Sequence, residues 1–177
     1  MKIIVEGPDR VGKDTLILEL TDYFTEKGEI YHNVYYRNIK NRDVRTMSEK
    51  FFEDSLRLLK SDFNIISNRS HLDEAVYGTM YRGYNGDYVF DLEKKVFPEE
   101  MDVVLILLTD EPENLIKRED GKSFSAKLED KKRELSLFEH AFAMSRAKHK
   151  IRVNIAGKSI PEVYEEVINQ IKILEKI

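Results

Sequence analysis

The chain has 177 residues and a formal net charge of −4, with 41% hydrophobic and 35% charged residues, the balance of a soluble globular protein long enough for one domain with a full core. It has no cysteine, which excludes disulfides, thiolate zinc sites and cysteine nucleophiles, and its net charge gives no global pull toward a nucleic-acid polymer. Glu6 and Asp9 interrupt the N-terminus too early for a signal peptide, and no apolar run approaches the roughly 20 residues that cross a bilayer, so a cytoplasmic protein with no membrane partner is expected.

In chain order, residues 2–6 are apolar, end in a glycine loop and read as a buried first strand. Residues 13–27 carry Leu16, Leu20 and Phe24 at helical spacing, and Gly28 closes that helix. A second strand is predicted over 30–36 and a helix over 44–60, with Met47, Phe51, Leu58 and Leu59 near one face. A third strand follows at 64–67, then a helix in "SHLDEAVYGTMYR". The run "DVVLILL" at 102–108 is the clearest buried parallel strand. A short helix is predicted at 111–118, a long charged one at 126–148, a last strand at 151–155 and a final helix at 161–177 begun by Ser159 and Pro161. This alternation predicts an α/β fold: a parallel sheet with helices on both faces, in a single domain over 1–177. The irregular stretch "EDGKSFS" is expected to be mobile.

The sharpest motif is "EGPDRVGKDT". Between a strand and a helix, Gly7, Gly12 and Lys13 have the spacing of a phosphate-binding loop. The glycines let successive N–H groups face inward, the helix start adds positive potential, and the lysine reaches the β- and γ-phosphates. A nucleoside triphosphate site is therefore expected, with Val11, Asp14 and Thr15 beside it. The usual Ser or Thr after the lysine, which holds magnesium, is replaced by Asp14, and Thr15 comes one position late.

These residues resemble the loop of thymidylate kinases and related nucleoside monophosphate kinases, in which "EG-x-D-x-x-GK" follows the first strand. The resemblance extends over most of the chain and implies a three-layer P-loop fold with a five-stranded parallel sheet and a short lid at about 119–126. It implies ATP with magnesium as donor and cofactor, a deoxynucleoside monophosphate as acceptor, and a homodimer. By the same resemblance Asp9 contacts the acceptor sugar and Arg10 stabilises the transferred phosphoryl group; alternatively the two form a local ion pair. Arg37, just past the second strand, would grip the acceptor phosphate, a role that suits a guanidinium. Arg69, at the carboxyl end of the third strand, lies where ligands bind in such sheets. Tyr77 and Tyr81, four residues apart, either flank a base or simply pack; Arg82 is either a substrate contact or a surface charge. Arg118 would stack on adenine, and Gly157 and Lys158 would touch it from the loop before the last helix. Lys127, Lys131, Lys132 and Arg133 read as a solvated helix face.

Two departures fall at the expected magnesium site. Asp14 replaces the hydroxyl after Lys13, and Asn68 replaces the acid that ends the third strand. A carboxylate moved from strand to loop helix would keep one negative charge near the ion, and Thr15 would then meet the α-phosphate; alternatively Asp14 is a first-turn helix acid without a metal role. For the acceptor, a deoxynucleoside monophosphate, thymidylate or a 5-modified pyrimidine by resemblance, competes with a nucleoside 5′-hydroxyl. The latter needs a general base near the end of the second strand, where no carboxylate stands close to Tyr36 and Arg37. A switch-type nucleotide-binding protein is a third possibility, against which no Asn-Lys-x-Asp appears.

Overall fold

A computed structural model of the chain describes residues 1–36, 45–118, 121 and 123–176. Five parallel strands form one sheet in the order β2-β3-β1-β4-β5: β1 (Lys2–Glu6), β2 (Tyr31–Tyr35), β3 (Asn64–Asn68), β4 (Met101–Thr109) and β5 (Ala147–Asn154). The helices are α1 (Lys13–Glu26), α2 (Arg45–Leu58), α3 (Leu72–Tyr81), α4 (Tyr88–Val96), α5 (Pro112–Lys117), α6 (Leu128–Met144) and α7 (Ile160–Leu174). The expected α/β architecture is thus observed.

Side chains alternate across each strand, so the near-continuous apolar runs of β1 and β4 feed cores on both faces of the sheet. Ile3, Val5, Val104, Ile106 and Leu108 meet Leu16, Leu20 and Phe24 of α1 and Val167, Ile168 and Ile171 of α7. Ile4, Val103 and Leu105 point the other way, toward Phe52 and Leu56 of α2, Leu72 and Ala75 of α3, and Val89, Leu92 and Val96 of α4. Helix α7 begins with a cap in which the Ser159 N–H and hydroxyl both donate to the Glu162 carboxylate. Strand β5 lies at one side of the sheet, with Lys148, Lys150 and Arg152 at alternating exposed positions.

Two features depart from the sequence expectation. Helix α4 was not anticipated. The predicted long helix over 126–148 ends at Met144, and β5 starts at Ala147, so that Lys148 belongs to a strand. The cause of the break is Glu93, fully buried on α4. Its Oε1 accepts from the Ser145 hydroxyl and its Oε2 from the Arg146 N–H, both at 2.7 Å, while the buried His71 ring nitrogen sits 2.7 Å from Oε1. The chain that would have continued α6 is instead pinned into a turn. Among the described residues, no helix is long and apolar enough to cross a membrane.

Candidate functional site

Strand β1 is central, paired with β3 on one side and β4 on the other, so the loop at its end emerges in the middle of the sheet's carboxyl edge. Gly7 has φ 141°, and a Cβ there would stand 2.4 Å from the Leu108 carbonyl oxygen; only glycine lets the loop leave β1 this close to β4. Gly12, at φ 91°, precedes α1, and no side chain caps that helix. Its first N–H groups are left to a ligand, which makes an anion site at the loop. Lys13 is buried, and its Nζ donates to the carbonyls of Gly7 at 2.8 Å and Pro8 at 2.7 Å. Burial, reinforced by the Arg69 charge, lowers the Lys13 pKa to about 7. The loop therefore folds around its own cation.

Among the described residues, the non-glycine positions with positive φ are Arg10 at 69° and Arg69 at 70°, a conformation that costs about 1 kcal/mol or more for such residues. Both are arginines expected at phosphate. Arg69 leaves β3 with its N–H on the Val5 carbonyl, 3.0 Å away. Its Nη1 bonds both carboxylate oxygens of Asp73 at 2.8 Å, and its Nη2 bonds Asp9. Asp9 is thus paired with Arg69. The guanidinium lies 5.5 Å from the centre of the Tyr77 ring, and the Tyr77 hydroxyl donates to Glu134 of α6 at 2.5 Å.

Asp14 and Asn68, the two departures at the expected metal position, are direct partners: the Asn68 amide N–H donates to Asp14 Oδ1. Asp14 is exposed and both residues line one cleft with Lys13 and Thr15. Among the described residues, no cluster of three or more His, Cys, Asp or Glu is arranged for a metal. One carboxylate, an amide oxygen and a hydroxyl are hard oxygen donors, a set that fits magnesium completed by substrate phosphates and water but not an ion caged by protein alone.

Among the described residues, two clefts open on the loop. The first, about 430 Å³, is lined by Asp9, Arg10, Gly12, Lys13, Asp14, Thr15, Tyr35, Tyr36, Asn68, Arg69 and Ser123. The second, about 330 Å³, is lined by Arg10, Val11, Gly12, Thr15, Arg118, Lys158 and apolar side chains including Leu108, Ile155, Ile160 and Val163. They share Arg10, Gly12 and Thr15. Arg118 is held by Asp110 at 2.7 Å and Lys158 by Glu166 at 2.5 Å, while Gly157, at φ 73°, turns the chain beside Lys158.

The structure does not bring Tyr77, Tyr81 or Arg82 to the wall of either cleft. Tyr77 is buried on α3, packed against Phe138. Tyr81 stacks on Phe124, centroids 4.7 Å apart, which ties the described part of the expected lid to α3. Arg82 pairs with Glu74, a buried acid that also accepts from the hydroxyls of Tyr84 at 2.5 Å and Tyr88 at 3.1 Å. Lys131 corrects the expectation of a solvated face on α6: it is 2% exposed and donates to Glu134 at 2.9 Å, whereas Lys132 and Arg133 are exposed. The difference arises because α6 turns that one side toward Tyr77. Arg37 lies outside the described residues, as do Glu119, Asp120 and Lys122 of the expected lid.

Two acids at the site escaped sequence reasoning. Asp73 stands four residues after Arg69, a spacing that would have suggested the pair. Glu6 ends β1, where it read as part of the loop signature, and its burial had no sequence signal.

No protein-family profile and no curated protein sequence matches the chain. Among solved structures, it is similar to the YorR protein of Bacillus subtilis in complex with phosphorylated GDP, at 19% identity and a TM-score of 0.71, over 100% of this chain and 99% of that one. It is also similar to thymidylate kinase from Candida albicans, at 15% identity and a TM-score of 0.62, over 98% of this chain and 92% of that one. At these identities the likeness is one of fold alone, a five-stranded parallel sheet with helices around it.

Proposed function

We propose that this chain is an ATP-dependent nucleoside monophosphate kinase whose acceptor is a deoxynucleoside monophosphate, thymidylate or a 5-modified pyrimidine analogue. The observation that carries this reading is the pair of clefts meeting at one phosphate loop. A protein that only binds one nucleotide needs one cleft; a transfer between two substrates needs two, with the transferred group at the junction. The apolar cleft between Arg118 and Lys158 suits adenine, and the polar one suits a second, phosphorylated ligand. The fold it shares with a thymidylate kinase supports the same reading.

In this mechanism the loop N–H groups and Lys13 hold the β- and γ-phosphates, and Arg10, which lines both clefts, sits beside the group in transit. Arg69 exchanges one of its carboxylate partners for the acceptor phosphate, and Arg37 assists it. An oxygen of the acceptor phosphate attacks the γ-phosphorus, the bond from phosphorus to the β,γ-bridging oxygen breaks, and ADP leaves with that electron pair. The attacking oxygen is already anionic, so no general base is needed; positioning and positive charge do the catalysis. Asp14, oriented by Asn68, would hold magnesium, which when bound neutralises charge on the phosphates. The chain would act in the cytoplasm as a homodimer of single-domain subunits.

The test is an assay of ATP with a panel of deoxynucleosides, deoxynucleoside monophosphates and guanylate. Diphosphate formation from a pyrimidine deoxynucleoside monophosphate is expected. Phosphorylation of nucleosides alone, or nucleotide binding without turnover across the panel, would overturn the proposal. A second expected outcome concerns Asp14: in Asp14→Asn the magnesium concentration for half-maximal rate rises roughly tenfold or more. An unchanged magnesium titration would leave Asp14 as a helix-start acid.

A further inference from the structure

Behind the phosphate loop lies a group of charges that the transfer chemistry does not use directly. Glu6, at the end of β1, is 1% exposed. Its Oε1 accepts from the Ser70 hydroxyl at 2.7 Å, but among the described residues no donor reaches its Oε2, which is also buried. Among the described residues, the groups that face it are Asp73 at the start of α3, Arg69 between β3 and α3, Lys13 of the loop and, more remotely, the Tyr36 hydroxyl. Asp9 joins the same group through Arg69. With every group ionised, among the described residues three carboxylates (Glu6, Asp9 and Asp73) would face two cations (Arg69 and Lys13). Burying one unbalanced negative charge is costly, and a carboxyl so placed takes up a proton instead.

We propose that Glu6 is a neutral carboxylic acid at physiological pH and that, through a hydrogen bond from its proton to Asp73, it is the positioning residue for Arg69. The orphan Oε2 then becomes a donor aimed at a carboxylate, which explains why no donor approaches it. Burial, followed by the nearby Asp73 charge, moves the Glu6 pKa well above the usual carboxylate range. The proton matters for function because Asp73 is the clamp that sets the Arg69 guanidinium, with both oxygens at 2.8 Å from Nη1. An ionised Glu6 would compete with Asp73 for the arginine and repel an incoming phosphate. The Arg69 part of this inference rests on the proposed acceptor role of that residue.

Three proteins test it: wild type, Glu6→Gln, which keeps a donor and an acceptor without a titrating proton, and Glu6→Leu, which keeps neither. Carboxyl 13C NMR of the ligand-free wild type is expected to show one glutamate, absent in Glu6→Gln, still protonated at neutral pH. Glu6→Leu is expected to raise the KM for the monophosphate about tenfold with little change in kcat, and Glu6→Gln to restore it. At alkaline pH the wild-type KM should rise above that of Glu6→Gln. A Glu6 carboxylate already ionised at neutral pH overturns the proposal, and so does a Glu6→Leu protein, folded by circular dichroism, with wild-type KM. The NMR titration uses no substrate, so it decides the protonation state even if no monophosphate is turned over and the kinase proposal itself fails.

Discussion

Lys13→Met is expected to lower kcat by roughly 10²–10³-fold while leaving far-UV circular dichroism unchanged. Among the described residues, both hydrogen bonds of Nζ go to the carbonyls of Gly7 and Pro8 in its own loop. Removing it therefore takes away a movable charge with little packing. In the proposed reaction that charge leaves the two carbonyls for the phosphates of ATP, and methionine offers the same length without it. A direct measurement of kcat and of ATP affinity separates the two contributions, with the larger loss expected in kcat. A Lys13→Met protein within tenfold of wild type would remove the lysine from the transfer step.

The largest expected effect on stability lies far from that loop, at Gly86. A Cβ on this residue would stand 2.0 Å from the carbonyl oxygen of Glu74 and 2.7 Å from the Cα of Ala75. Both obstacles are backbone of α3, which cannot rotate away as a side chain would. Gly86 also donates its N–H to the Thr79 hydroxyl at 3.0 Å, so the loop leading into α4 is fastened to α3 on both sides. Gly86→Ala is expected to destabilise the protein by about 3 kcal/mol, the upper end for overpacking, and to lower Tm by roughly 6–12 °C in a chain of this size. Thermal unfolding followed by circular dichroism would show it. A shift under 2 °C, roughly what ~0.5–1 kcal/mol produces, would mean that α3 and α4 separate easily. Because α3 also carries Asp73 and Tyr77, the same variant should bind monophosphate less well than its residual stability alone implies.

The features most legible in the sequence were those fixed by short covalent spacing or by one strong periodicity. The loop from Gly7 to Thr15 is a local object: its glycines, lysine and following helix dictate their own geometry wherever the chain goes. The buried strand β4 is legible because nine residues of near-continuous apolar character, Met101–Thr109, fit the centre of a parallel sheet. What stayed hidden depended on residues distant in sequence. Helix α4 carries Val89, Leu92 and Val96 on its buried side, but Glu93 is buried with them, and an acid in the core breaks the amphipathic pattern. That same Glu93 ends α6 at a place where helix-compatible charges continue in the sequence, which is why the predicted helix over 126–148 ran too far. Lys131 looked like its exposed neighbours because nothing local announces that Glu134 and Tyr77 are its surroundings. Asp73 was reachable from its spacing to Arg69; Glu6 was not, since its environment is assembled from β1, the start of α3 and the loop lysine. For the site as a whole, the sequence indicated which chemistry to expect, while the pairing of Asp14 with Asn68 and of Asp9 with Arg69 required three dimensions.

Strand β5 has a consequence for the protein's behaviour at high concentration. Among the described residues no strand pairs with its outer edge, Ala147–Asn154, the kind of rim onto which a strand from another molecule can zip. Lys148, Lys150 and Arg152 recur at every second position there. A second β5 laid alongside would bring two such rows of cations together, offset in part by the Arg152–Glu139 pair. The row thus works against fibril-like stacking, and neutralising it is expected to make this rim more prone to aggregation.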